Sequence, residues 1–291
     1  MAPTSLLIAN RGEIAIRIMR AAAELGIHTV AVFARDDAHS LHTRMADEAR
    51  PLQGVGVATY LDIEQILAVA KEAGCDAIHP GYGFLAENAI FSRRCTEEGV
   101  TFVGPRPEIL ELFGDKVQAR FLAERCGVPV LRGTSGPTSM EEAREFLSSL
   151  GGGSMMIKAV AGGGGRGMRA VHRLDEVEEA YKRCQSEAQK AFGHGDVYVE
   201  QLMPRVRHIE VQVIGDGLGH VSHLWERDCS IQRRHQKLVE IAPSPGLRLE
   251  LRDRLTAAAV RLAAEVHYNS LGTFEFLVEA DSEGEEATFA F

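Results

Sequence analysis

A lysine followed by a run of glycines is the feature of this sequence that most clearly suggests chemistry. Lys158 is followed by three apolar residues and then by the loop Gly162-Gly163-Gly164-Gly165-Arg166-Gly167. Glycines adopt positive φ readily and let backbone N–H groups approach a phosphate closely. A lysine on the strand before such a loop adds a point positive charge. The segment therefore predicts a phosphate-binding loop assisted by Lys158.

Other phosphate-binding motifs fit this loop less well. Gly162, Gly164 and Gly167 satisfy GxGxxG, but a dinucleotide fingerprint needs a helix directly after the loop, and Met168 to Val171 is predicted to be a strand. A Walker A loop would need Gly-Lys-Ser/Thr, and protein kinases carry their lysine on a later strand. We therefore predict that the loop is the tip of a hairpin, with a flexible linker as the alternative.

A second glycine motif, Gly81 to Ala86, has the form GxGxxA between a predicted strand and a predicted helix. A dinucleotide site would carry an acid about 20 residues further on, at the end of the next strand. That strand ends instead in Gly104-Pro105-Arg106. An NAD site is therefore rejected.

Strand and helix patterns alternate through the first part of the chain, which implies a parallel α/β sheet. The predicted strands are Leu6–Ala9, Thr29–Phe33, Asp76–His79 and Thr101–Val103, and the predicted helices are Glu13–Leu25, Asp62–Ala73 and Phe91–Glu98. We expect this first unit to end near Phe113.

The second part begins at Gly114-Asp115-Lys116 and is richer in strands. Its predicted helices are Val117–Arg125, a capping-box helix from Ser139 to about Leu150, Leu174–Ala191 and Leu249–Val266. Strands are predicted at Met155–Val160, Met168–His172, Val197–Gln201, Phe274–Glu279 and Ala287–Phe291, the last two joined by the polar turn Asp281–Gly284. Because a chain seldom ends inside a central strand, we expect a truncated chain.

Composition excludes several classes of protein. The net charge of −9 argues against nonspecific nucleic-acid binding. No apolar stretch approaches 18 residues, so no membrane span is expected. The five cysteines have no CxxC spacing and an odd count, which favours a reduced compartment. The first ten residues lack the features of a signal or transit peptide, so we expect a cytoplasmic protein.

Several segments, in order along the chain, resemble the signatures of the biotin carboxylase family. They are Ile8–Ala15, His79–Leu85 followed by Glu87-Asn88, Gly114-Asp115-Lys116, the Lys158 glycine loop, Glu226–Lys237 and Gly272–Phe276. The resemblance covers essentially the whole chain. It implies an α/β fold with a Rossmann-like pre-ATP-grasp domain at 1–113 and an ATP-grasp domain at 114–291, with a mobile lid at about 131–201 and its C-terminal part missing.

The resemblance implies ATP-dependent carboxylation of biotin. Bicarbonate attacks the γ-phosphate to give carboxyphosphate, which releases CO₂ and phosphate. The phosphate then deprotonates the biotin nitrogen, which takes up the CO₂. Phosphoryl transfer of this kind needs positioning and charge neutralisation more than covalent help. The substrates and cofactors implied are ATP, bicarbonate, Mg²⁺ or Mn²⁺, and biotin on a carrier.

Catalytic roles follow from matching positions. Lys116 and Lys158 match the two lysines that hold the ATP phosphates, and the backbone of Gly164 and Gly165 should cover those phosphates. Lys237 matches the lysine near the γ-phosphate and bicarbonate. The resemblance therefore assigns the catalytic work to Lys116, Lys158 and Lys237.

Binding roles follow in the same way. The backbone of Gln201 and Met203 matches the hinge that contacts adenine. Glu275 matches one of two metal-binding carboxylates. The ribose and base are assigned to Glu200, His208, Gln232 and His235, and the wall near the biotin ureido ring to Tyr82 and Gly83.

Two departures from the family pattern stand out. The family has Asn-Pro-Arg-His where this chain has Arg205-Val206-Arg207-His208. The family's next segment, which carries the second metal carboxylate, the bicarbonate base and an arginine that contacts biotin, is absent from the sequence. We therefore expect this chain alone to bind ATP weakly and not to turn over.

Some reactive residue types have simpler interpretations. His79 before Pro80 is interpreted as a buried structural histidine, and Cys229 as structural because the implied chemistry needs no thiol. For Arg233-Arg234 a structural role and a site-lining role remain equally open.

Two other functions stay open: a different ATP-grasp ligase, of the carbamoyl-phosphate or amino-acid ligase type, and a catalytically inactive nucleotide-binding module. The implied partners are a biotin carrier and a carboxyltransferase domain, with a homo-oligomeric parent protein. The final acceptor is open among acetyl-CoA (as in acetyl-CoA carboxylase), propionyl-CoA, longer acyl-CoA, pyruvate and urea.

Overall fold

The computed structural model describes residues 2–160, 167–233, 236–280 and 288–291. It divides into two compact units, Met1–Glu111 and Leu112–Phe291. The predicted boundary at Phe113 lies close to this division, inside a helix that the sequence analysis did not predict, Pro107–Gly114.

The first unit contains the predicted parallel sheet. The strands are β1 (Ser5–Ile8), β2 (His28–Phe33), β3 (Glu48–Pro51), β4 (Ala77–His79) and β5 (Thr101–Phe102). Their order is β3-β2-β1-β4-β5, and all neighbours pair in parallel. Apolar side chains are buried in clusters on both faces of the sheet. The α/β prediction for this unit is confirmed.

In the described part of the first unit, the α-helices are α1 (Gly12–Glu24), α2 (Leu41–Met45), α3 (Ile63–Glu72) and α4 (Ala89–Glu97), and α5 (Pro107–Gly114) runs across the division between the units. Asp62 and Asn88 cap α3 and α4 by accepting hydrogen bonds from backbone N–H groups of the first turn.

The strand order reverses beside β1, so the carboxyl ends of β1 and β4 flank a crevice, the usual ligand position in an open parallel sheet. Asn10 follows β1, and its Nδ2 donates to the carbonyl oxygens of Pro80 at 2.7 Å and Tyr82 at 2.8 Å. Gly81 has φ of 69°, and a Cβ there would lie 2.7 Å from Asn10 Nδ2. A glycine is therefore needed for the turn after β4 to close on Asn10.

The second unit begins with α6 (Lys116–Arg125) and contains a three-stranded sheet, in the order β7-β6-β8. Its strands are β6 (Met155–Ala159), β7 (Met168–Val171) and β8 (Val197–Gln201), covered by α7 (Met140–Ser149) and α8 (Val177–Phe192). Ser139 and Glu142 form the predicted capping box of α7. This part of the chain corresponds to the predicted lid.

The glycine loop joins β6 to β7. Lys158 pairs with Met168 in an antiparallel register, so the chain reverses between them. The loop residues 161–166, including Gly164 and Gly165, lie outside the described residues. Because a strand and not a helix follows the loop, the hairpin prediction is confirmed and the dinucleotide fingerprint is excluded.

A five-stranded sheet, in the order β11-β10-β9-β12-β13, forms the rest of the unit. Its strands are β9 (Val206–Asp216), β10 (Val221–Arg233), β11 (Gln236–Ile241), β12 (Asn269–Glu279) and β13 (Phe289–Ala290). Helix α9 (Leu249–Glu265) packs against β9 and β10. Strands β12 and β13 pair antiparallel as predicted, and the predicted turn at 281–284 lies outside the described residues.

Alternation along β9 gives this sheet two chemically different faces. Ile209, Val211 and Val213 are fully buried. The intervening residues, His208, Glu210 and Gln212, point to the opposite face because successive side chains of a strand alternate. Among the described residues, no helix is both long and apolar enough to cross a bilayer.

Candidate functional site

Two of the predicted catalytic lysines meet at the foot of the glycine loop. Lys116 is the first residue of α6, which Asp115 caps by accepting from the N–H of Val117 at 2.9 Å. Its Nζ lies 3.4 Å from the carbonyl oxygen of Ala159, the last residue of β6. Lys158 is the residue before Ala159 on the same strand. Both lysines are therefore close to the end of β6, where the loop begins.

Glu200 on β8 balances part of this positive charge. Its Oε1 forms an ion pair with Lys158 Nζ, and the two side chains are only 8% and 18% exposed. The register of β6 with β8 pairs Lys158 with Tyr198 and Met156 with Glu200, so Lys158 and Glu200 are diagonal neighbours on one face of the sheet. The resemblance assigns Glu200 to the ribose and base, which stays a prediction; in the structure its carboxylate contacts Lys158.

The surroundings of Lys116 disfavour its charged form. Burial, and then repulsion by Lys158, lower the pKa of Lys116, against the smaller attractions of Glu200 and Glu275. Nucleotide phosphates placed beside Lys116 would favour its charged form, because an opposite charge at short range raises the pKa of a lysine.

Mg·ATP binding should therefore take up protons at alkaline pH. The pKa of Lys116 is lowered in the free protein and rises when phosphates bind, so between these two values Lys116 gains a proton on binding. Affinity should fall as the pH rises above the lowered pKa. Calorimetric titrations in two buffers of different ionisation enthalpy measure the uptake. Lys116→Arg should remove it, since a guanidinium stays protonated; equal uptake in that variant would contradict the assignment.

A second cluster lies on the polar face of the five-stranded sheet. Lys237 on β11 donates to Glu275 on β12 at 2.8 Å and also contacts Glu210 on β9. His208 Nε2 lies 3.5 Å from Glu275 and 3.7 Å from Glu210. Gln232 on β10 lies 2.8 Å from His208 Nδ1. Four strands thus bring together the predicted residues His208, Gln232, Lys237 and Glu275.

The carboxylate of Glu275 is held ionised. Burial alone would raise its pKa, but the hydrogen bonds from His208 and Lys237 and the charge of Lys237 outweigh burial and lower the pKa to about 2. At neutral pH this side chain is a charged oxygen ligand. That is the form that a hard divalent cation requires.

The same cluster fits the metal that the family implies. One ligand atom from each of His208, Glu210 and Glu275 lies within 4.8 Å of the others. Two carboxylates suit Mg²⁺ or Mn²⁺ better than the imidazole does. Glu275, predicted as a metal ligand, and Glu210 are therefore the residues that would hold the ion, which would supply charge neutralisation for the transferred phosphoryl group.

Glu210 is the principal residue that the sequence analysis missed. It is 2% exposed, and besides Lys237 it binds Arg227 of β10 at 2.9 Å. The available signal was alternation: Glu210 is two residues from the predicted His208, on the same face of one strand. Because Glu210 lies on the same face of the strand as the predicted His208, it could have been selected as a further candidate.

The predicted adenine hinge is partly engaged by the protein itself. The N–H of Gln201 donates to the carbonyl of Arg132 at 2.7 Å, and the N–H of Leu202 donates to Ser154 at 2.8 Å. The N–H of Gln201 is therefore occupied within the protein, and the adenine contacts assigned to the backbone of Gln201 and Met203 stay a prediction.

The remaining predicted site residues lie in the first unit or outside the described residues. Tyr82 and Gly83 belong to the first unit, where Tyr82 is 61% exposed and its hydroxyl contacts the carboxylate of Glu13. Gly83 adopts φ of 64°. His235 and Arg234 lie outside the described residues, as do Gly164 and Gly165.

The residues interpreted as structural have structural surroundings. His79 Nδ1 accepts from the N–H of Gly81 at 3.0 Å, and burial lowers its pKa. Burial raises the pKa of the Cys229 thiol to about 11, so it remains protonated at neutral pH. Arg207, in the segment that departs from the family pattern, binds Asp228 at 2.7 Å and Ser244 at 2.6 Å. These contacts hold the start of β9 and so the position of the adjacent His208.

Two family models match this chain, one in each of its two units. Residues 2–110 match the family described as Biotin carboxylase, N-terminal domain. Residues 115–287 match the family described as Carbamoyl-phosphate synthase L chain, ATP binding domain.

Curated relatives include the pyruvate carboxylases of Bacillus subtilis and Homo sapiens. The first is 56% identical over 276 residues, covering 94% of this chain and 24% of the relative. The second, a mitochondrial protein, is 54% identical over 278 residues, covering 94% of this chain and 23% of the relative. The chain thus spans about a quarter of the length of these relatives.

Solved structures show the same similarity in three dimensions. The biotin carboxylase of Campylobacter jejuni, described as a complex with beta-gamma-ATP, has a TM-score of 0.94 and 43% identity, covering 99% of this chain and 64% of that one. The biotin carboxylase domain of the Hydrogenobacter thermophilus 2-oxoglutarate carboxylase, solved with MgADP and bicarbonate, has a TM-score of 0.92 and 45% identity, covering 100% of this chain and 63% of that one.

The parallel sheet, the glycine hairpin and the charged antiparallel sheet together define a nucleotide-binding protein of the ATP-grasp class. Within that class, the chain belongs to the biotin carboxylase family and contains its N-terminal and ATP-binding domains.

Proposed function

We propose that this chain forms the ATP- and bicarbonate-binding part of a biotin-dependent carboxylase, and that this enzyme carboxylates biotin on a carrier. The observation that carries the proposal is the cluster in which Lys237 lies between Glu210 and Glu275 on the sheet of the ATP-binding domain. The ammonium group of a lysine that contacts two carboxylates can move to an incoming anion, while its backbone stays fixed in the sheet. In the reaction of the biotin carboxylase family, the anions that bind here are bicarbonate and the γ-phosphate of ATP.

The two clusters divide the work of phosphoryl transfer. Lys116 and Lys158 neutralise the phosphates at the foot of the glycine loop. Lys237 holds bicarbonate beside the γ-phosphate, and Glu275 supplies an ionised oxygen ligand for the metal. Attack of a bicarbonate oxygen on the γ-phosphorus forms carboxyphosphate and releases ADP. Its breakdown yields CO₂ for the biotin nitrogen and phosphate, which takes the proton of that nitrogen.

A carboxylated carrier needs a transferase and a final acceptor. The curated relatives support pyruvate as the acceptor. They do not support acetyl-CoA carboxylase, which the sequence analysis had left open. The carrier, the transferase and a homo-oligomeric assembly remain part of the proposal.

A second candidate is another ATP-grasp ligase. It is favoured by one observation: the family matched by residues 115–287 is described as that of the carbamoyl-phosphate synthase L chain. Such an enzyme would share the lysines and the glycine hairpin but would pass the activated group to an amine.

Biotin dependence separates the two candidates. The test protein is the Bacillus subtilis pyruvate carboxylase with its matching 276-residue region replaced by this chain, hereafter the chimera. ADP release from Mg·ATP and bicarbonate should rise several-fold when free biotin is added. Ammonia or glutamine in place of biotin should have no effect. A folded chimera that responds to the amines and ignores biotin would exclude the proposal and favour the second candidate.

A further inference from the structure

Arg120 contacts both chain segments that connect the three-stranded sheet to the rest of the second unit. It lies on α6, one helical turn after Lys116, and its side chain is 12% exposed. Its NH2 group donates to the carbonyl oxygen of Leu131 at 2.7 Å. Its NH1 group lies 3.6 Å from Glu200 Oε2. Leu131 leads into the predicted lid, and Glu200 lies where β8 leads out of it.

The two connecting segments lie side by side. The N–H of Gln201 donates to the carbonyl of Arg132 at 2.7 Å, and the N–H of Thr134 donates to that of Val199 at 2.9 Å. A Cβ at Gly133 would lie 2.8 Å from the Val199 oxygen and 3.0 Å from Arg120 NH1. Glycine at 133 therefore leaves the space in which the guanidinium reaches Glu200.

Glu200 is shared between two cations. Its Oε1 pairs with Lys158 and its Oε2 faces Arg120, while the side chain is 8% exposed. A nucleotide phosphate beside Lys158 would compete with Glu200 for the lysine ammonium group. If Lys158 turned to a phosphate and no other cation were present, a carboxylate would be left buried and unpaired, which is strongly unfavourable.

We propose that Arg120 is a positioning residue that keeps Glu200 neutralised when Lys158 turns to the nucleotide. Arg120 does not touch the nucleotide; it lowers the free-energy cost of releasing Lys158 from Glu200. The inference rests on the proposed function in one respect, because it takes a nucleotide phosphate as the ligand of Lys158. The inference adds Arg120 of α6 to the residues of the nucleotide site. Arg120 should affect the binding of the phosphates and not that of the nucleoside.

Binding measurements on the full chain test this. Equilibrium dialysis compares Mg·ATP with adenosine, which has no phosphate, for the unaltered chain and Arg120→Met. We expect ATP affinity to fall about tenfold, the equivalent of one charge-assisted contact of about 1.4 kcal/mol, and adenosine affinity to stay within about twofold. Arg120→Lys, which keeps the charge, should recover most of the loss.

A matched control lies on the same helix. Arg125 forms an exposed ion pair with Glu265, with side chains 56% and 46% exposed. Arg125→Met removes the same atoms from α6 and should leave both affinities unchanged. In the Lys158→Met background, Arg120→Met should cause no further loss of ATP affinity. Arg120 acts by making it easier for Lys158 to leave Glu200, and that lysine is absent from this background.

The outcomes separate this inference from the proposed function. If neither the unaltered chain nor the chimera binds Mg·ATP, the proposed function fails and the inference fails with it; if only the chimera binds it, the same variants are compared in the chimera. If ATP binds but Arg120→Met binds it equally well, or loses ATP and adenosine affinity in parallel, only the inference is overturned. Melting curves identify a variant that does not fold. If Arg120→Met does not fold, Arg120→Gln, which keeps a donor for the Leu131 carbonyl but has no charge, takes its place in the same comparison. Where the single and double variants fold, full additivity of Arg120→Met and Lys158→Met overturns the inference.

Discussion

Replacing Lys237 with glutamine is expected to lower the biotin-dependent turnover of the chimera by about 10²- to 10³-fold, the usual loss when one preorganised donor to a reacting anion is removed. Lys237 is 32% exposed and lies between Glu210 and Glu275, so its ammonium group is held at the surface of the charged sheet and open to an anion. Glutamine keeps much of the length of the side chain but cannot neutralise bicarbonate or the γ-phosphate. The loss should appear in kcat, measured as ADP release at saturating ATP.

Lys182 provides the matched control for this substitution. It lies on α8, 65% exposed, and pairs with Glu178 one turn earlier at 2.7 Å. Lys182→Gln removes one positive charge from the same chain and should leave turnover within about twofold, since exposed pairs of this kind contribute little. Equal turnover by Lys237→Gln and Lys182→Gln would show that Lys237 takes no part in the reaction.

Replacing Glu210 with glutamine should destabilise the second unit by about 3 kcal/mol, at the lower end of the range for breaking a buried ion pair. Glu210 is 2% exposed and contacts both Lys237 and Arg227. Without the charge of Glu210, Lys237 would keep only the more exposed carboxylate of Glu275, and Arg227 only that of Glu240. The single tryptophan, Trp225 on β10, reports the unfolding of this sheet by fluorescence in urea.

Glu240→Gln is the control for that measurement. Glu240 pairs with the same Arg227 at 3.1 Å but is 47% exposed. Solvent screens that pair, so its loss should cost less than about 1 kcal/mol. If the two glutamine variants unfold at the same urea concentration, burial of Glu210 is not what makes its charge important to the sheet.

The elements that could be predicted from the sequence are those with a clear period. The helix α1 and the strands β1 and β2 carry apolar residues at regular spacing, and their predicted bounds differ from the structure by only a residue or so. Strand β3 and helix α2 were not predicted. Strand β3 is Glu48-Ala49-Arg50-Pro51 at the edge of its sheet, where charge and proline are favoured and alternation is lost. Helix α2 has five residues, too few for a period.

The candidate site divides in the same way. The glycine hairpin and Lys158 form a local pattern, so their proximity could be predicted. The contacts of Glu210 with Lys237, and of Arg120 with Glu200, join residues that are distant in sequence. They depend on strand register and on where α6 lies, and no local spacing indicates them. The resemblance to biotin carboxylases supplied Lys116, Lys237 and Glu275, which the residues alone would not have selected.

Transfer of label from [¹⁴C]bicarbonate to biotin by the chimera is the most direct test of the account. With Mg·ATP present, the account predicts acid-labile label on biotin, lost when ATP is omitted and reduced in proportion to turnover by Lys237→Gln. A folded chimera that releases ADP and leaves biotin unlabelled would contradict the assignment of this chain to biotin carboxylation.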